Sequence, residues 1–203
     1  MKYSVIVSLK TDPQQYLRLC ELRKAFAQVC NCLTPEVQAS RIWSRVTLHH
    51  LYYHSMRKRF PHLGSQMVCN AIYAVSKIAK LVYQHPQSPY NIGRRSDGML
   101  PLLHFAETCP VYFDRHTLSI KADELSLFTM DGRMHFQLAL SQLQRLIFES
   151  SKLREIALEE RKNKRFELSF HLESEPPNVG LPTPHLRGVD PLIPPYVSIE
   201  SAK

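Results

Sequence analysis

VYFDRHTLSIKADELSLFTMDGRMHFQLAL, residues 111–140, sets the fold class, because its apolar side chains fall at every second position in a series of short runs. A period of two is the signature of strands with one face turned inward. The runs are broken at Asp114-Arg115-His116, at Ala122-Asp123 and at Asp131-Gly132. An Asp-Gly pair between alternating apolar runs is a strong hairpin signal, so this stretch reads as short antiparallel strands joined by tight turns.

Downstream, residues Ser141 to Glu149 read as a short helix, and Leu153–Arg161 with Arg165–Glu173 as a further hairpin turning at Lys162-Asn163. Its second arm is the clearer, with Phe166, Leu168, Phe170 and Leu172 alternating against Glu167, Ser169, His171 and Glu173. A single helix over 141–164 is the competing assignment. Beyond Ser174, seven of the fourteen prolines fall within thirty residues, which resists helix and central strand and implies an extended tail.

Upstream the period changes. Lys2–Leu9 alternates and is rich in β-branched residues, a short opening strand. Asp12 then offers an N-cap with Pro13 at the first helical position, and an apolar stripe carries a helix to about Leu33. Thr34-Pro35 opens a turn or short helix. A second helix is expected from about Arg45 to Phe60, with Val46, Leu48, Leu51, Tyr52, Met56 and Phe60 inward, and Pro61 ends it. A third, capped by Ser65, turns Met67, Ala71, Ile72, Val75, Ile78, Ala79 and Val82 inward and leaves Gln66, Asn70, Tyr73, Lys77 and Lys80 on the other side. From His85 to Pro110 the periodicity is weak, which implies a long connection.

The order is therefore an α+β one: a first strand (1–10), a helical lobe (11–84), a linker (85–110), a many-stranded region (111–173) and a Pro-rich tail (174–203). A β-barrel or open sheet interrupted after its first strand by a helical bundle gives this order, with a groove between two lobes.

Charge is unevenly spread. Residues 1–100 hold fourteen Lys and Arg against four acids, a balance of +10 within a whole-chain charge of +8. The remainder is at −2. Such a basic half points to a polyanionic partner. No run approaches the ~18 apolar residues of a membrane span and the start lacks a secretory signal, so a cytoplasmic protein without membrane contact is expected. The five cysteines are odd in number and form no Cys-x-x-Cys pair, which favours reduced, mostly buried thiols over a disulfide framework or zinc ribbon.

Arg57, Lys58, Lys77 and Lys80 are candidates for phosphate contacts, and Tyr52, Tyr53 and Tyr73 for stacking on bases or bonding to phosphates. Helical spacing turns Tyr53 outward and Tyr52 inward. Gln66 and Asn70, four apart, can read base edges as amides do, or make inter-helix hydrogen bonds. His50 and His54 lie one turn apart with His49 adjacent, but no Glu follows His50 and no third ligand is placed, so neither a metal nor another cofactor is expected. Gly-x-Ser-x-Gly, phosphate-cradling and dinucleotide-binding glycine patterns are all missing from the sequence.

The segment HHLYYHSMRKRFPHLGSQMVCNAIYAVSKIAK (49–80) is similar to the recognition-lobe helices of TnpB, the transposon-encoded RNA-guided nuclease family related to type V CRISPR effectors. VYFDRHTLSIKADELSLFTMDGRMHFQL resembles the wedge domain of that family, and the opening strand, the helix holding Ala27 to Asn31 and the hairpin REIALEERKNKRFELSFHLESEPP fall in the same order. The resemblance spans about residues 1–177. It implies an OB-like, wedge-type β-barrel with the helical recognition bundle inserted after its first strand. It also implies guide RNA and target DNA as partners, with Arg115 and Lys121 on the wedge contacting the guide.

In that family the wedge leads into a RuvC-like nuclease. Here Gly188-Val189-Asp190 resembles the start of its first strand, and a single aspartate cannot assemble a two-metal centre. The expectation is a nuclease-deficient protein, not itself an enzyme, that occupies nucleic acid in a prokaryotic cytoplasm and associates with the nucleoid when bound. The alternatives are the recognition subunit of a split nuclease with a RuvC-like partner chain, a homo-oligomer, or a truncated transposon relic.

Overall fold

The computed structural model describes residues 2–94, 99–121, 123–173 and 193–200. The architecture is mixed α+β with antiparallel sheets and, among the described residues, four α-helices and no closed barrel. The chain divides into two compact units, Met1–Cys20 with Pro110–Gly188 and Glu21–Cys109 with Val189–Lys203.

In the first unit, strand β1 (Lys2–Ser8) pairs with β8 (Phe166–Glu173), β8 with β7 (Lys152–Glu160), and β7 with β3 (Val111–Phe113). The register sets Val5 opposite Phe170 and Val7 opposite Leu168. All four side chains are buried, so the alternation seen in the sequence is the inward face of this sheet. The proposed hairpin over 153–173 is present, and the competing long helix is not. Its helical part stops as α4 (Gln142–Ser150), which begins with a capping box between Ser141 and Gln144.

A second sheet in this unit is the meander of β4 (Leu118–Lys121), β5 (Glu124–Thr129) and β6 (Gly132–Gln137). Asp114 separates β3 from β4 by accepting bonds from the backbone N–H of His116 (3.0 Å) and Thr117 (3.1 Å), a side-chain turn that ends strand pairing there. The β5–β6 loop is Met130-Asp131, with Gly132 already paired to Thr129 and held at φ +111°.

Helix α1 (Pro13–Ser40) supplies its residues up to Cys20 to the first unit and the rest to the second. Its start is as the sequence implies: Asp12 Oδ1 accepts from Gln15 N (2.8 Å) and Gln15 Oε1 from Asp12 N (3.1 Å). Its end is not. The helix runs past Leu33 through Pro35, which lacks the N–H that would bond to Asn31 O. Thr34 Oγ1 donates to that carbonyl at 3.3 Å, which offsets the lost bond.

In the second unit α1 is joined by α2 (Arg45–Arg59), α3 (Ser65–Tyr83) and a two-stranded ribbon of β2 (Leu102–Phe105) with β9 (Val197–Glu200). This ribbon differs from the sequence reading, which placed β2 in the linker and β9 in the tail. Each strand is four residues long, too short to show a period beside so many prolines. Asn31 holds β2 in place by accepting from Phe105 N (2.7 Å) and donating to Phe105 O (2.9 Å). Tyr83 is buried, which pushes its phenol well above the usual tyrosine range, and it donates its hydroxyl to Pro101 O at 2.6 Å. No helix of the described residues is long and apolar enough to cross a membrane.

Candidate nucleic-acid interface

Helices α2 and α3 carry the cationic surface. From Val37 to Ser96 the sequence has no Asp or Glu. Helix α2 packs lightly: only Leu48 and Met56 are buried. Val46 and Leu51, expected inside, are 65% and 53% exposed, and both Tyr52 and Tyr53 are half-buried. The inward stripe inferred for this helix is thus wider than the one it uses.

The basic run at the end of α2 divides by function. Arg57 Nη1 donates to Leu63 O and to Phe60 O (3.4 Å), so part of this guanidinium satisfies carbonyls of the turn after the helix. Arg59 lies 6.0 Å from the Phe60 ring centroid. Lys58 is exposed, and no ion pair engages it among the described residues. Three cations in a last turn also complement the helix dipole, a purely structural role.

Helix α3 is buried nearly all round, with Gly64 rather than Ser65 at its N-cap. What remains accessible is one stripe: Gln66, Cys69, Tyr73 and Leu81 half-buried, Ser65, Lys77 and Lys80 exposed. Asn70, assigned from the sequence to this outward face, is instead 4% exposed. Counting back 3.6 residues from Tyr73 falls between 69 and 70, and the core takes the amide while Cys69 takes the surface. Arg45, not singled out in the sequence, sets its guanidinium 5.2 Å from the Tyr73 ring centroid and covers one of its faces.

A cluster of rings on α2 was also missed. His49 and Tyr53 stack at 4.8 Å with planes 18° apart, Tyr53 meets His54 edge-on at 5.2 Å, and His49 meets His50 edge-on at 6.0 Å. The i, i+4 spacing of His49 and Tyr53 was the available signal. Among the described residues no group of three or more His, Cys, Asp or Glu is arranged to hold a metal.

Arg115 and Lys121 lie in the other unit and are both exposed. Arg115 Nε approaches His116 Nε2 at 3.4 Å, and Lys121 sits opposite Glu124 across the β4–β5 turn. Arg115 also borders a cavity of about 640 Å³ whose walls include Leu118, Phe148 and Phe170, the two phenylalanines packed edge-to-face at 5.0 Å. Asp190 lies outside the described residues, as does most of the Pro-rich tail. No family model matches this chain, and no curated protein matches it.

Proposed function

We propose that this protein binds nucleic acid through the outer surface of α2 and α3, holding guide RNA or target DNA without cutting it. The observation that carries this reading is the pair of helices bearing Arg45, Arg57, Lys58, Arg59, Lys77 and Lys80 with no acid on either. A solvated helix surface ordinarily mixes both signs. One sign alone, with tyrosines and an amide between the cations, suits a phosphate backbone with bases attached.

In this reading Lys58, Lys77 and Lys80 meet phosphates, while Tyr52, Tyr53, Gln66 and Tyr73 approach bases. Arg57 does both jobs, bracing its turn and adding charge. Asn70 supports the helix from inside. The unit with β3–β8 corresponds to the OB-like wedge of the TnpB resemblance, opened into two sheets, with Arg115 and Lys121 toward the guide; the shared order of strand, helices and strands supports this. The place of action that follows is the nucleoid.

The test is purification of the full chain followed by sequencing of whatever RNA remains bound. Enrichment of one discrete transcript supports a guide-bound protein. Material free of RNA that also fails to retain added RNA in dilute buffer contradicts it.

A further inference from the structure

Resting on the nucleic-acid reading above, we propose that the four rings His50, His49, Tyr53 and His54 of α2 form a stacking platform for unpaired bases, so that the strand this helix holds is single-stranded. The rings are continuous: edge-on from His50 to His49, parallel from His49 to Tyr53, edge-on again to His54. None of the four is buried, and the core-facing work of the helix is done by Leu48 and Met56. His50 and His54 are exposed and His49 and Tyr53 half-buried, so the cluster lies at the helix surface with ring area that core packing does not use.

Bases inside a duplex already cover one another and offer no free face to a flat ring. Unpaired bases do, and aromatic side chains beside cations are how sequence-tolerant single-strand sites are built. The dimensions agree. From His49 to His54 the helix rises about 7.5 Å, roughly two base steps at ~3.4 Å each. Arg45 lies one turn before the rings, and Arg57 and Lys58 one turn after them, placed for the flanking phosphates. The lack of acids on α2 and the flat rings together favour nucleic acid over an acidic polypeptide, which offers carboxylates but no bases.

The experiment compares a fluorescent thymidine 20-mer with a 20-base-pair duplex by anisotropy, using the full chain, its His49→Ala/Tyr53→Ala variant and its Tyr53→Phe variant. These positions are accessible and alanine favours a helix, so circular dichroism should show all three folded. The expected result is tighter binding of the single strand than of the duplex, and a loss of at least ~10-fold for the single strand in the double variant. Duplex affinity falls less than single-strand affinity does, and Tyr53→Phe, which keeps the ring, retains more single-strand affinity than the double variant. Equal affinity for both probes with no effect of the double variant overturns the platform and leaves the nucleic-acid reading standing. Binding of neither probe overturns that reading as well. Poly-glutamate bound as tightly as the thymidine strand would assign the surface to an acidic polypeptide and overturn the platform.

Discussion

Arg18 on α1 grips Asp131 at the tip of the β5–β6 hairpin with two nitrogens, Nε at 2.9 Å and Nη2 at 2.6 Å, while the same Nη2 reaches Thr129 Oγ1 at 2.9 Å. Thr129 also donates to Asp131 at 2.8 Å. Hydrogen bonds from Thr129 and then Arg18 hold the Asp131 carboxyl below its ordinary range. Because the folded form is the stronger acid, the stabilisation is fully present above the unfolded value near ~4 and drains away as pH falls through the depressed one. Asp131 is 63% exposed, so solvent screening keeps the effect small. Asp131→Asn should cost about 0.5–1 kcal/mol at pH 7 and almost nothing at pH 2, read from urea unfolding midpoints. An equal cost at both pH values would contradict the ion pair.

Gly132 in the same turn sits at φ +111°, where a side chain is strained although open space surrounds its Cβ position. Gly132→Ala should therefore destabilise by roughly 1–3 kcal/mol from backbone strain alone, with no clash. Thermal unfolding measures it, and an unchanged midpoint would mean the turn relaxes.

Asn31 bonds to both the N–H and the C=O of Phe105, acting as one more rung of the β2–β9 ribbon. Asn31→Leu removes both bonds and leaves two backbone groups in a half-buried place, at a cost of about 2–4 kcal/mol. Amide exchange at Phe105 should quicken with it. Retained protection there would show that the side chain is incidental.

Burial pushes the Cys109 thiol up to about 12, against the opposing pull of Arg23, and raises that of Cys30 as well, again by burial first. Thiolate is the reactive form, so both should resist alkylation at pH 8 in the native protein. Mass spectrometry should find label only on Cys20, Cys32 and Cys69 until denaturant is added, and on all five afterwards. Early labelling of Cys30 or Cys109 would contradict the packing around α1.

The strands with full alternation were legible because their pattern is local: Phe166, Leu168, Phe170 and Leu172 state which face is buried without help from any partner. The Asp12–Gln15 cap was legible for the same reason. Helix α1 passing through Pro35 was not, since it depends on a hydroxyl compensating a missing donor, and the β2–β9 ribbon was not, since it joins segments some ninety residues apart. In the candidate site, charge was visible in composition, whereas the swap of Asn70 for Cys69 at the surface and the exposure of Val46 and Leu51 depend on what covers each helix. Spacing gives an angle around an axis, and the neighbours decide how much of the circumference is core.

The central claim is that cations on α2 and α3 hold a nucleic-acid backbone, and the direct measurement is affinity for a labelled oligonucleotide across salt concentrations in the parent and in Lys58→Glu/Lys80→Glu. Both lysines are exposed, so the variant should fold. The parent should show log affinity falling linearly with log salt, and removing two phosphate contacts should flatten that slope by about 1.4–1.8. A variant with the parent's affinity and the parent's slope would contradict the account.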